Sequence, residues 1–387
     1  MSTTYISPKA NSICNIALDG TRQPPSSNAD RDLPVRRNPS VTSSFDIVAA
    51  YHRLLSTHPA YTQPVAAIQA LIELLNAQPT STVMETLDLI NTHVSTLRSS
   101  VRNPVPLTAG TDLFERFIVQ SLRHQDDPSR SFAATRDHLL SNSAVFATRA
   151  IQARESVANA GWRLVKDDST VLTFGASRAV SALLSRAAAE ALARSGRVTF
   201  RVIFVRDVRR APESDAVVAR LRGSGIPVAE IPETAVAHVM GLQRRVGVVL
   251  VGAEAVPQSG GIFSRLGTAQ IAKLAYAHTP RIPFYVATEE HKFVRMATLP
   301  TGQTDKDLGF AQGLLDFSEE RPSRLPQDPI DYTPPEWITN LVTESGIHKP
   351  EYPFLQLMDA YGTMVPDRIL TKALMDLEEE GMLEADA

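Results

Sequence analysis

The sequence predicts an α/β protein in which an all-α helical domain precedes a Rossmann-like, doubly wound parallel-sheet domain. Two observations carry that expectation. Over residues 45–165 the apolar residues recur at helical spacing with no strand pattern, and from Thr170 onward short apolar runs alternate with helical stretches. The runs are continuous instead of alternating, which means burial on both faces, as in a parallel sheet covered by helices. The expected division is an extension over 1–44, a helical domain over 45–165, an α/β domain over 166–370 and an acidic tail over 371–387.

Residues 1–44 are rich in Ser, Asn, Pro and Arg and carry few apolar side chains to offset the entropy of ordering, so disorder is expected there. The basic cluster at 31–37 reads as a solvated tail. Phe45, Val48, Tyr51 and Leu55 then share one helical face, and Val65, Ile68, Leu71, Ile72 and Leu75 repeat the pattern behind Pro64, a residue suited to the first turn. Residues 80–97 form a third helix through Val83, Leu87, Ile90 and Val94. Asn103-Pro104-Val105-Pro106 reads as a breaker before the stripe of Leu113, Phe114, Phe117, Ile118 and Leu122, and a long amphipathic helix is expected over 132–158.

Strands are expected at 171–174, 198–205, 226–231, 246–251 and 283–287, with helices following Gly175 and over 215–222, 234–242 and 268–278. The stretch 303–329 is polar and reads as a surface insertion. Asp331-Tyr332-Thr333-Pro334-Pro335 is expected to be a last short strand and turn, and Tyr352–Tyr361 a closing helix.

Composition excludes several functional classes. A formal net charge of -3 over 387 residues gives no electrostatic footprint for direct nucleic-acid binding. The only cysteine, Cys14, lies in the polar extension, which leaves no disulfide framework and no thiolate metal site. No apolar run approaches the ~20 residues needed to cross a bilayer, and the first ten residues lack a signal peptide's basic start and apolar stretch. A cytoplasmic chain without membrane contact is expected. No G-x-G-x-x-G follows a strand, because Gly223-Ser224-Gly225 leads into one; there is also no G-x-x-x-x-G-K-[ST] and no nucleophile elbow at Gly175-Ala176-Ser177. No histidine pattern suggests a metal, and His238 and His278 read as surface or packing residues. These absences rule out several large enzyme classes and leave no cofactor and no metal expected.

What remains is a candidate pocket for phosphate or a phosphorylated small molecule. Val251-Gly252-Ala253-Glu254 ends a strand, Gly260-Gly261-Ile262 follows as a glycine-rich loop, and Arg265 precedes a helix at Gly267-Thr268. Glu254, the paired Gly260 and Gly261, and Arg265 therefore fall at the carboxyl edge, where doubly wound sheets present their ligands. Ser177 and Arg178 follow the first sheet strand at a helix start, which offers N–H groups, a hydroxyl and a guanidinium to an anion. Thr108 and Gly110, in Thr108-Ala109-Gly110-Thr111, are expected at a second helix N-terminus, and Lys292 is expected to close the site.

Taken in order, Val65-Ala66-Ala67-Ile68, Leu71-Ile72-Glu73-Leu74-Leu75, Val251-Gly252-Ala253-Glu254, Gly260-Gly261-Ile262, Gly267-Thr268, His291-Lys292-Phe293-Val294-Arg295 and Asp331-Tyr332-Thr333-Pro334-Pro335 resemble the alpha-type subunits of eukaryotic translation initiation factor 2B, over roughly 45–365. That factor is the guanine-nucleotide exchange complex for initiation factor 2. The resemblance implies a regulatory, non-catalytic subunit active in translation initiation and the integrated stress response. It implies a homodimer formed through the sheet domains, partnership with the beta, gamma, delta and epsilon subunits, and a helical domain facing initiation factor 2, where it senses the phosphorylated alpha subunit. Exchange itself belongs to epsilon in that family. Phe45, Tyr51, Tyr61 and Arg102 are contact candidates by location alone.

The same fold is shared by the methylthioribose-1-phosphate and ribose-1,5-bisphosphate isomerases. Their aldose-to-ketose chemistry uses a cysteine after the first sheet strand and an aspartate in a Gly-Ala-Asp motif. The resemblance places Gly175 where that cysteine belongs and Glu254 at the aspartate. A retained pocket with lost chemistry is therefore the expectation, and an active sugar-phosphate isomerase is the alternative.

Overall fold

A computed structural model of the chain describes residues 45–123, 148–242, 246–296, 312 and 328–361. Expectations for 1–44, 132–147, 371–387 and nearly all of 303–329 lie outside the described residues.

The helical layer begins where the sequence supplies caps. Asp46 accepts hydrogen bonds from the Val48 and Ala49 N–H groups at 3.0 and 2.9 Å and opens α1 (Ile47–Thr57). Pro64 sits in the first turn of α2 (Gln63–Ala77), where its missing N–H has no intrahelical partner to lose. Before α3 (Val83–Ser100), Thr82 accepts from Glu85 N–H at 3.1 Å while Glu85 reaches back to Ser81 N–H at 2.7 Å. The next helix corrects the expected breaker. α4 (Val105–Arg123) starts well before Leu113, since the first turn tolerates Pro106 and Asn103 accepts the Val105 N–H at 3.1 Å. The described part of α5 covers 148–161. Tyr51, Ile68, Leu71, Ile90, Leu97, Leu107 and Phe114 are buried together between the first four helices.

The second layer opens with β1 (Thr170–Phe174) and α6 (Arg178–Ser195), followed by β2 (Arg201–Arg206), α7 (Ala211–Gly223), β3 (Val228–Pro232), α8 (Val236–Gly241) and β4 (Val248–Gly252). Then come β5 (Val256–Pro257), β6 (Ile262–Arg265), α9 (Thr268–Ala277), β7 (Phe284–Ala287) and β8 (Phe293–Val294). β9 (Ile330–Thr333), β10 (Asn340–Thr343), β11 (Gly346–His348) and the closing helix Tyr352–Tyr361 complete the described chain. The main sheet runs β11-β10-β7-β4-β1-β2-β3. All neighbours pair parallel except β10 with β11. With β11 set aside, the winding reverses between β1 and β4, which makes that gap the topological switch point.

Alternation along the strands splits the core in two. Val171, Val248 and Leu250 face α6 and α7 with Leu183 and Val217. Leu172, Phe174, Val249 and Val251 face α8 and α9 with Val236, Met240 and Ile271. Two expectations are corrected here. The glycine-rich loop contains β6, which pairs antiparallel with β9, so the strand at Asp331 belongs to a small separate sheet. That strand is also not the last, because β10 and β11 extend the main sheet beyond it. From Phe45 onward the described residues cluster as one unit, in which α4 packs against the segment holding Lys292 and β8.

A cation-lined cleft at the switch point

The carboxyl ends of β1 and β4 meet closely. A Cβ on Gly252 would lie 2.2 Å from Ser177 Oγ, so only glycine permits this approach. Gly175, at φ +76°, turns the chain out of β1 into α6. Ser177 caps that helix, its Oγ accepting the Val180 N–H at 3.3 Å. Between these ends lies a cleft of about 410 Å³. Five cations (Arg178, Arg210, Arg220, Arg265 and Lys292) and three carboxylates (Glu213, Glu254 and Glu289) line it, with Thr62, Gln63, Pro64 and Pro106 contributed by the helical layer.

Glu254, Lys292 and Arg178 are each held by a group outside their own element. Glu254 Oε1 pairs with Arg265 Nε at 2.9 Å, and its Oε2 accepts from Asn103 Nδ2 at 2.5 Å. Burial pushes Glu254 up to about 7, against the opposing pull of the Asn103 bond and of Arg210 and Lys292. Lys292 Nζ donates to the Ala253 carbonyl at 3.0 Å and pairs with Glu289 at 2.7 Å. Burial would raise Glu289, but Lys292, His291 and Arg154 surround it and hold it well below the usual carboxylate range. Arg178 Nη1 donates to the Tyr61 carbonyl at 2.6 Å, and burial with Arg154 nearby lowers its pKa.

Ser177, Arg178, Glu254, Arg265 and Lys292 thus share one cleft. The other expected site residues do not line it. Thr108 lies inside α4, its hydroxyl bonded to the Pro104 carbonyl at 3.1 Å, so it marks no helix N-terminus. Gly110 lies where a Cβ would come 2.7 Å from Pro64, as the crossing of α2 and α4 demands. Gly260, at φ +80°, and Gly261 pack against the Pro350 carbonyl and the Tyr332 ring. The α9 N-terminus is also occupied, since Asp331 accepts the Gly267 and Ala269 N–H groups at 2.7 and 2.9 Å. Of the contact candidates, Tyr51 is a core residue and Arg102 is exposed.

Thr62, Asn103, Arg210, Glu213 and Arg220 escaped the sequence reading. A signal existed for Arg210 and Glu213, because they follow β2 at the same carboxyl edge. Thr62 and Asn103 arrive from the helical layer, and nothing local in the sequence announces it. Among the described residues no group of three or more His, Cys, Asp or Glu is placed to hold a metal, and no helix is long and apolar enough to cross a membrane.

Fold and cleft together define a class of doubly wound α/β protein, with a preceding helical layer and a cation-lined cleft at the switch point. Residues 56–350 match the model of the initiation factor 2 subunit family, and the chain belongs to that family. It is 28% identical over 333 residues to a Dictyostelium discoideum protein named translation initiation factor eIF2B subunit alpha, covering 83% of this chain and 98% of the relative. The Caenorhabditis elegans protein of the same name is 24% identical over 318 residues, covering 81% and 98%. The fold resembles the tetrameric eIF2B-beta2-delta2 complex from C. thermophilum, with a TM-score of 0.60, 19% identity and coverage of 81% and 94%. It also resembles the translation initiation factor eIF-2B of Pyrococcus horikoshii OT3, with a TM-score of 0.55, 20% identity and coverage of 83% and 100%.

Proposed function

We propose that this chain is a regulatory, non-catalytic alpha-type subunit of the cytoplasmic guanine-nucleotide exchange factor for initiation factor 2. In this reading it pairs with a second copy of itself, joins the beta, gamma, delta and epsilon subunits, and helps sense initiation factor 2 phosphorylated on its alpha subunit. The observation that carries the reading is the near-complete coverage, 98%, of relatives named as alpha subunits of the factor. The cleft supports binding over turnover. Gly175 offers no side chain, and its φ of +76° would strain an L-residue such as cysteine at that position. A phosphate or sugar phosphate bound there stabilises the folded protein by RT ln(1 + [L]/Kd).

Guanine-nucleotide release from initiation factor 2 tests the regulatory role, using the complex with and without this chain. Basal exchange is expected to persist without it, while inhibition by the phosphorylated substrate is lost; undiminished inhibition contradicts the role. An isomerase remains the second reading on one observation, that burial brings Glu254 to about 7, a range suited to moving protons near neutrality. Turnover of a ribose 1-phosphate analogue that Glu254→Gln abolishes would favour it.

A further inference from the structure

The closing helix Tyr352–Tyr361 is apolar on two sides, and the described chain covers only one of them. Leu357, 4% exposed, belongs to the core that holds Phe293 and Ile338, and Pro353 is buried as well. Phe354, Leu355 and Met358 are instead 49, 58 and 42% exposed. Their i, i+1, i+4 spacing sets them together on one helical face. Single apolar residues on a surface need no explanation, but three sharing a face call for something to cover them. The sequence past Tyr361 carries a matching pattern. Ile369, Leu370, Ala373, Leu374 and Leu377 recur at helical spacing on one side, with Arg368, Thr371, Lys372 and Asp376 on the other. Pro366 suits the first turn of such a helix, and Gly381 its end.

We infer that residues 366–380 of this same chain dock on the exposed face of the closing helix, as the second arm of a helical hairpin. The inference is independent of the function proposed above, since no residue of the cleft takes part. A lone helix of this length is marginal in water and depends on an apolar surface to pack against. Gly362 to Val365 make a connection of the length that joins antiparallel helices. Folding back about it sets Ile369 and Leu370 beside Met358, and Ala373 and Leu374 beside Leu355 and Phe354. Two arguments favour this occupant over a second copy of the chain. Three side chains on a ten-residue helix offer far less than the roughly 800 Å² that each partner of a standard interface buries. A segment tethered just beyond the helix needs no such area, because its effective concentration there is high.

Amide hydrogen exchange on the full chain, read at several protein concentrations, tests this. Peptides covering 369–377 and 352–361 are expected to exchange slowly, at rates independent of concentration. Leu374→Asp, on the apolar side, should speed exchange of 352–361 at least roughly tenfold, as loss of one buried leucine contact predicts. Phe354→Asp should speed exchange of 369–377 in turn, whereas Thr371→Asp, on the polar side, should leave both peptides unchanged. Exchange of 369–377 at the rate of an unstructured peptide in the unaltered chain overturns the hairpin. Protection of 352–361 that grows with concentration overturns it too, and gives the face to a second copy. An effect of Thr371→Asp equal to that of Leu374→Asp likewise refutes the assignment of faces.

Discussion

At Glu254 one carboxyl is gripped on both oxygens, by Arg265 and by Asn103 from the other layer, while burial raises it to about 7. The Asn103 bond favours the charged form, so Asn103→Ala is expected to move the Glu254 titration upward. Carbon-13 NMR of the side-chain carboxyl reads this directly, and an unmoved titration contradicts the bond. Arg178 makes the complementary prediction. Stabilisation of the fold by ribose 5-phosphate in thermal melts should disappear in Arg178→Ala, and an unchanged shift counts against the cleft. Gly260 belongs to a different account, because its φ of +80° and the Pro350 carbonyl 1.8 Å from an added Cβ leave no room for alanine. Gly260→Ala should destabilise by roughly 3 kcal/mol in urea melts through strain and overpacking, and a cost near zero would contradict that packing.

Among the elements, α9 shows how a helix without its own capping side chain is completed from elsewhere. Gly267 cannot cap it, and Asp331 on β9 accepts the two N–H groups instead. Burial raises Asp331 to about 7, outweighing the bonds and Arg209 that favour its charged form. The folded state therefore holds a proton that the unfolded chain releases near the ordinary aspartate value of about 4. Its contribution to stability is full below about pH 4 and is lost as pH rises towards 7. Asp331→Asn keeps a neutral acceptor and should flatten that part of the stability profile, measured as melting temperature against pH; an identical slope would refute the assignment. The same elements show what the sequence could reveal. β1 and β4 were legible because each is a continuous buried run, and α2 because its stripe and Pro64 agree. β6 was hidden by the two glycines before it, and β10, four residues long, pairs on one side with β7, distant in sequence, and on the other with β11. α4 begins ahead of Leu113 because Pro106 suits a helix's first turn and need not break it.

In the whole molecule, two layers meet at the cleft. Ser177, Arg178, Glu254, Arg265 and Lys292 could be found from sequence because each lies near a strand's carboxyl end, and a doubly wound sheet gathers those ends. Asn103, Tyr61 and Thr62 could not, because their closeness to the cleft depends on how the helical layer docks. That docking is bonded on both sides, through Asn103 to Glu254 and through Arg178 to the Tyr61 carbonyl. A ligand held by Arg178 or Glu254 therefore acts on groups that also grip the helical layer, the layer proposed to face initiation factor 2. The most direct test of that larger reading is affinity purification of this chain from its native extract at modest salt, with every co-purifying protein identified and its stoichiometry measured. The account predicts four further exchange-factor subunits in amounts equal to this chain, together with initiation factor 2. Recovery of the chain alone, as a small homo-oligomer, would contradict it.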